Sequence, residues 1–271
     1  MKKSDEKKYD DILRKIKTIK IQGAENIAKA GIEAYLLNLT DKSYKKILSL
    51  RATEPLLQNS LKKIRDAKNK KTEANKILKQ IKESHKLIAN NGAKIIKNNM
   101  KIYTHCHSSS VIDILKQAKK NGINFTVYTT EVEPLLQGRM TAKDLSKAKI
   151  PTIIGPDLAA EQLLKKCDLL LFGADAITKT GIYNKIGTKT LCEIAKNYKI
   201  PRYSCTTSFK LTNSIKIENR KGKEVWDERD KNITPIYPAF DKTPLKLLTG
   251  IISEVGINSP KDFFKKISKK N

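Results

Sequence analysis

The sequence is poor in the residues that would tie it to a metal, an oxidising compartment or a membrane. Four cysteines in 271 residues (Cys106, Cys167, Cys192 and Cys205), none in a Cys-x-x-Cys pair, are too few for a disulfide framework and wrongly spaced for structural zinc. Histidine is scarcer: His85, His105 and His107. In an extended segment the two imidazoles of His105-Cys106-His107 point one way and the thiol the other, so no metal is expected, and no resident cofactor either. Arginine supplies only seven of the 55 basic residues, whereas a specific nucleic-acid reader needs it for bidentate contacts. The net charge of +27 therefore reads as a lysine-rich solvated surface with an attraction for small anions. The longest apolar runs, near Ile150–Pro156 and Leu169–Ala174, fall far short of the roughly 20 residues that cross a bilayer. The opening MKKSDEKKYDD mixes acids with lysines and leads into no apolar stretch, so a soluble, cytoplasmic protein is expected. There is no G-x-G-x-x-G, G-x-x-x-x-G-K-[ST] or G-x-S-x-G, which disfavours dinucleotide dehydrogenases, P-loop NTPases and serine hydrolases.

What is present is a chain with 39% hydrophobic residues, enough for a core of its own, in two rhythms. Residues 1–99 carry apolar side chains at helical spacing: Ile12, Ile16 and Ile19, then Ile27, Ile32, Tyr35, Leu36 and Leu39. Thr53 is placed to cap a helix in which Pro55 is an early residue, before Leu56, Leu57, Leu61 and Ile64. A second amphipathic run holds Ile77, Leu78, Ile81, Leu87 and Ile88 and closes at Asn90-Asn91-Gly92. From residue 100 to 271 short apolar runs alternate with helical ones, which implies parallel βαβ units. Strands are expected at 101–104, 125–130, 150–154, 169–172, 182–185 and 202–206, with helices at 110–121, 158–167 and 188–198. Residues 218–231 read as an exposed hairpin or loop, and the lysine-rich end beyond Pro260 as a frayed tail.

In a parallel sheet, ligands sit beyond the carboxyl ends of the strands. The segment after the first strand, Thr104-His-Cys-His-Ser-Ser-Ser110, delivers a thiol and serines into the start of a helix. The helix field attracts phosphate there and favours a Cys106 thiolate. Leu171-Phe-Gly-Ala-Asp175 ends a buried strand in a carboxylate suited to acid–base work. Asn184-Lys185-Ile-Gly187-Thr188 sets an amide and an ammonium before a Gly-opened helix, again an anion site, and Lys210 is a weaker candidate. An inert buried cysteine and an aspartate that merely caps a turn are the alternatives these segments leave open. Together they suit proton relocation on a sugar phosphate.

The joint order of Thr104-His-Cys-His-Ser108, Gln137-Gly138, Phe172-Gly-Ala-Asp175, Asn184-Lys-Ile-Gly-Thr188, Ser208-Phe-Lys210 and Pro238-Ala-Phe-Asp241-Lys-Thr-Pro244 resembles the family that joins translation initiation factor 2B alpha, beta and delta subunits with aldose-phosphate isomerases. The resemblance runs from about Gly23 to Pro260 and is nearest to the archaeal ribose-1,5-bisphosphate isomerases. It implies a helical N-terminal domain, a Rossmann-like C-terminal domain with a mainly parallel sheet, and dimers that build hexamers. It implies Cys106 and Asp175 as the catalytic pair, a pair that the initiation-factor subunits generally lack. Phosphate and sugar contacts carried over by it are Gln22, Gly23, Ala24, Glu25, Arg51, Ser108, Ser109, Ser110, Asn184, Lys185 and Lys210.

The implied reaction turns ribose 1,5-bisphosphate into ribulose 1,5-bisphosphate in AMP salvage, with Asp175 as acid, Cys106 thiolate as base, and AMP as an allosteric activator. A non-enzymatic initiation-factor-like subunit, or an isomerase or sensor for another phosphosugar such as methylthioribose 1-phosphate, is the alternative. Three departures bear on the substrate: Gln22-Gly-Ala-Glu25 replaces Arg-Gly-Ala-Gly, Glu131-Val-Glu133-Pro134 replaces Glu-Thr-Arg-Pro, and Thr207 stands where Glu precedes Ser-Phe-Lys. A carboxylate at a phosphate contact repels it unless a lysine pairs with the acid.

Overall fold

A computed structural model describes residues 3–217 and 220–269. Five helices precede the first strand: α1 (Lys3–Lys17), α2 (Ala24–Leu37), α3 (Asp41–Leu50), α4 (Pro55–Asp66) and α5 (Lys70–Ala93). Their apolar stripes meet in one core, with Ile16 of α1, Ile27 and Ile32 of α2, Leu57 and Leu61 of α4, and Ile77 and Ile81 of α5 fully buried. Leu39 does not join it: α2 has ended at Leu37, and Leu39 is 48% exposed. Thr53 does not cap α4 either. Glu54 takes that position with Pro55 first in the helix, and the Thr53 hydroxyl donates to the Lys216 carbonyl at 3.0 Å.

The long helix α5 serves both halves of the molecule. Its first turns bury Ala74, Ile77 and Ile81 among the helices, and its last bury Ile88 and Ala93 with Ile114, Val127 and Ile252 against the sheet. The buried stripe rotates between them to Ser84 and His85, which leaves Leu87 exposed rather than in the core. Gly92 does not end the helix, which continues through Ala93; a Cβ at Gly92 would lie 2.5 Å from the Ile114 side chain of α6 (Ser109–Lys120). Glycine is there so that two helices can touch.

The alternating region forms a seven-stranded sheet from β1 (Lys101–His105), β2 (Thr126–Thr130), β3 (Thr152–Gly155), β4 (Leu169–Phe172), β7 (Arg202–Cys205), β9 (Gly250–Ser253) and β10 (Gly256–Asn258). The spatial order is β10-β9-β7-β4-β1-β2-β3, parallel except for β10. The chain winds outward from β1 through β2 to β3, then returns to place β4 on the other side of β1. The topological switch point lies between β1 and β4.

Helices α6, α7 (Gln137–Lys147), α8 (Ala160–Leu164), α9 (Thr188–Asn197) and α10 (Pro260–Ser268) complete this layer. The segment expected as one helix over 158–167 is shorter, because Asp157–Ala159 forms a 3-10 turn and α8 stops at Leu164. The strand expected at 182–185 leaves the parallel sheet: β6 (Gly181–Lys185) pairs antiparallel with β5 (Ala176–Thr178) and β8 (Phe240–Pro244). The end beyond Pro260 is ordered as α10, which buries Phe263 and Ile267 and is capped by Ser259. Of the stretch 218–231, Glu218 and Asn219 lie outside the described residues; the remainder is a largely exposed, irregular segment that an Arg220–Tyr237 bridge ties down. Among the described residues, no helix is long and apolar enough to cross a membrane.

Candidate active site

The register of the two central strands sets the site. His105 of β1 pairs with Phe172 of β4, so the residues that follow, Cys106 on one side and Gly173-Ala174-Asp175 on the other, emerge side by side at the switch point. A Cβ on Gly173 would lie 2.6 Å from the Ser108 hydroxyl, so glycine is what lets the two loops meet. Both loops line one cleft. The second sheet hangs from the Asp175 loop, where the Asp175 N–H donates to the Tyr183 carbonyl at 2.8 Å and β6 delivers Asn184 and Lys185.

Cys106 has φ +65, so the strand does not stay extended through His105-Cys106-His107. The alternation expected of those side chains is broken, and all three line the cleft. His105 is buried and neutral. Burial draws its pKa down to about 4, and its Nε2–H donates to the Ile186 carbonyl at 2.9 Å. Thr141 of α7 donates its hydroxyl proton to the Cys106 carbonyl at 2.8 Å and so accepts from His107 Nδ1 at 3.1 Å, which fixes the strained turn. Burial also lowers the His107 pKa. Among the described residues no three His, Cys, Asp or Glu side chains converge as metal ligands.

The resting thiolate expected at Cys106 is not what this environment favours. Burial pushes the thiol up to about 11; the Lys185 ammonium pulls it down, the Asp175 charge pushes it up, and the His107 N–H stabilises the anion. The helix field is weak here because Cys106 stands two residues before the Ser108 N-cap, whose own hydroxyl accepts from the Val111 N–H. The resting sulfur therefore carries its proton.

Among the described residues, four cations and two carboxylates line the cleft: Arg51, Lys185, Lys210 and Arg220 against Glu54 and Asp175. Lys185 is buried, donates to the Tyr237 hydroxyl at 2.8 Å and lies 5.2 and 5.8 Å from the ring centres of Tyr237 and Phe240. Lys210 donates to the Ala174 carbonyl, tying its 3-10 turn to the Asp175 loop. Arg51 pairs with Glu54 at 3.0 Å and Arg220 with Glu224. Asn184 is held by the Thr188 hydroxyl at 3.0 Å. Two helix starts face the same space. The N-cap of α2 is Gly23, φ +83, with Gln22 and Ala24 beside it on the wall, and α6 contributes Ser108 and Ser109.

Three expectations are corrected. Glu25 does not line the cleft. It turns outward to Lys29 at 2.6 Å and His85 at 3.0 Å, which takes its carboxylate off the cleft wall. Ser110 is buried one residue past the wall and is not part of it. The start of α9 is not an anion site, because the Asp241 carboxylate already accepts the N–H groups of Gly187 and Lys189. The other two departures also fall off the wall. Glu133 is exposed with its N–H bound to Asp157, and Thr207 is a buried cap next to Ser208, whose N–H donates to Glu254. Sequence reasoning missed His105, His107, Glu54, Gln137, Arg220, Tyr237 and Phe240 as wall residues. In the sequence, the two histidines beside Cys106 offer only a metal-ligand pattern, and that pattern hides their place on the wall.

The model of the initiation factor 2 subunit family matches residues 12–260. The chain belongs to that family. It is 33% identical over 276 residues to the ribose 1,5-bisphosphate isomerase of Methanocaldococcus jannaschii, covering 91% of this chain and 90% of the relative. It is 32% identical to the methylthioribose-1-phosphate isomerase of Aquifex aeolicus, covering 94% of this chain but 63% of that longer protein. Among solved structures, the translation initiation factor eIF-2B of Pyrococcus horikoshii superposes with a TM-score of 0.84 at 27% identity, covering 93% of this chain and 97% of that one. Relatives of this family at about one-third identity are thus isomerases, and the nearby folds include initiation factors.

Proposed function

We propose that the protein is an aldose–ketose isomerase that converts ribose 1,5-bisphosphate to ribulose 1,5-bisphosphate. One observation carries the reading: a thiol and a carboxylate emerge together at the switch point of a parallel sheet, inside a cleft where cations outnumber acids. A non-enzymatic subunit has no need of that pair. Two helix starts and four cations suit a substrate with phosphate at both ends.

A sugar phosphorylated on its anomeric oxygen cannot open by simple hemiacetal reversal, so the ring oxygen must gain a proton as the C1–O4 bond breaks. The resting proton sits on Cys106. Transfer of that proton to Asp175 yields the acid and the base together with no change in total charge, and it removes the negative charge that held the thiol up. Lys185 then faces the thiolate. Asp175 protonates O4, and the thiolate takes the proton from C2, leaving an enol phosphate. The thiolate's new proton goes to C1 while the C2 hydroxyl returns its own proton to Asp175, so both groups end as they began. Arg51, Lys185, Lys210 and the helix starts hold the phosphates.

The same reading carries a homo-oligomer, as a dimer or a trimer of dimers, in the cytoplasm, without a cofactor and with AMP as an activator. Proton NMR of the purified protein with ribose 1,5-bisphosphate in D2O, with and without AMP, tests it. Ribulose 1,5-bisphosphate formed by the wild type but not by Cys106→Ser or Asp175→Asn supports the assignment. A folded wild type that leaves this sugar unchanged refutes the substrate, and turnover of methylthioribose 1-phosphate instead would identify the other isomerase.

A further inference from the structure

His85, on α5, is buried and is not among the residues that line the cleft. Its Nε2 meets Glu25 of α2 at 3.0 Å and its Nδ1 meets Asp113 of α6 at 2.9 Å. With a carboxylate on each ring nitrogen, both must donate, which only the imidazolium can do. Burial opposes that charge, but the hydrogen bonds to Asp113 and Glu25 outweigh it and hold the pKa up to about 9. Glu25 is pushed up by burial and drawn down further by His85 and Lys29, to about 2.

The two acids stand at informative places. Glu25 is the residue after Ala24, at the α2 start that forms one wall of the cleft; Asp113 lies four residues beyond Ser109, on the helix that starts at the other wall. We infer that His85 is a positioning residue, an ionic clamp that joins the Gln22–Ala24 rim to the Ser108–Ser109 helix start across α5. Glu25 stands where the resembling loop has glycine, so the clamp belongs to this chain rather than to the loop motif.

Neutralising or shortening the ring releases both ends at once. Glu25 then keeps Lys29, and Asp113 borders the same groove as the exposed Lys116 and Lys120 of its own helix. Lys82 and Lys86 of α5 border the same groove. These solvated ammonium groups do not span from α2 to α6, so none of them replaces the ring.

The test is hydrogen–deuterium exchange of the full chain, which does not depend on which sugar the protein turns over. In His85→Gln at pH 7, peptides covering 20–28 and 106–116 should exchange about tenfold faster, the equivalent of one lost charge-assisted hydrogen bond. A β4 peptide covering 169–172 should be unchanged. Unaltered rim peptides, or equal acceleration in β4, would overturn the clamp. Asp113→Asn, on the more exposed side, gives a second reading if His85→Gln does not fold: only the 106–116 peptide should loosen. The activity arm rests on the isomerase reading. There His85→Gln should raise KM for ribose 1,5-bisphosphate about tenfold with kcat little changed, and a fall in kcat at constant KM would count against the clamp. If the wild type does not isomerise this sugar, the substrate is wrong, and the exchange experiment still decides the clamp.

Discussion

The Asp241 carboxylate accepts a hydrogen bond from the Gly187 N–H at 2.8 Å, so α9 begins on an anion that the chain supplies itself. Burial pushes the acid up to about 6, outweighing the N–H groups of Lys189 and Gly187 that favour its charge. Relative to an unfolded value near 4, the folded chain holds this proton more tightly, so the stabilisation is full at low pH and is lost as pH rises through 6. Asp241→Asn keeps an acceptor for Gly187 and removes the buried charge. Thermal unfolding should show the variant level with wild type below about pH 4 and more stable by about 1–3 kcal/mol at pH 8. A variant that is less stable at pH 8 would contradict this account of the cap.

Cys106 should behave as a protonated thiol at rest. Alkylation by iodoacetamide, followed by mass spectrometry, should be slow at pH 7 and keep rising beyond pH 9, because burial holds the thiol up to about 11. Asp175→Asn removes a charge that raises that value and should speed alkylation at pH 8 while turnover is lost. Lys185→Met removes the charge that lowers it and should slow alkylation. If both substitutions moved the rate the same way, the neighbouring charges would not be what sets this thiol.

Gly138 bears on the active turn through α7. A Cβ at this position would lie 1.6 Å from the Thr130 carbonyl oxygen, and backbone cannot yield as a flexible side chain does. Gly138→Ala must push α7 outward, and with it Gln137 of the wall and Thr141, which holds the Cys106 carbonyl. Overpacking of this kind costs about 1–3 kcal/mol, and loss of most activity should accompany the drop in melting temperature. A variant with wild-type stability and rate would show that α7 does not brace the turn.

Much of this was legible in the residues. The unbroken Leu169–Phe172 run reads as a strand covered on both faces, and the strand ends point to Cys106 and Asp175, which both line the cleft. Helix α7 was not legible because its buried residues are Gly138, Thr141 and Leu145, too sparse an apolar stripe to announce 11 residues of helix. The left-handed turn at Cys106 was hidden as well, since nothing in His-Cys-His marks φ +65, and the thiol's ionisation followed from that placement. Arg220 and Tyr237 reach the wall from a long irregular connection, where spacing carries no periodic signal. Glu25 reads as an acid in an anion loop until its partners, Lys29 one turn along its own helix and His85 of α5, are seen.

Lys185 and Tyr237 offer the sharpest test of how the cleft keeps a buried cation. The ammonium has the Tyr237 hydroxyl at 2.8 Å and the ring centres of Tyr237 and Phe240 at 5.2 and 5.8 Å. Tyr237→Phe retains the ring and deletes the hydroxyl acceptor, whereas Tyr237→Leu deletes both. If the ring packs the site as well as carrying the hydroxyl, binding of the bisphosphate measured by calorimetry should weaken about tenfold in Tyr237→Phe, where one hydrogen bond to a charged group is lost, and further in Tyr237→Leu. Lys185→Arg should not rescue Lys185→Met, because a planar guanidinium is bulkier than the buried ammonium it would replace. Equal affinities for Tyr237→Phe and Tyr237→Leu would assign the whole effect to the hydroxyl.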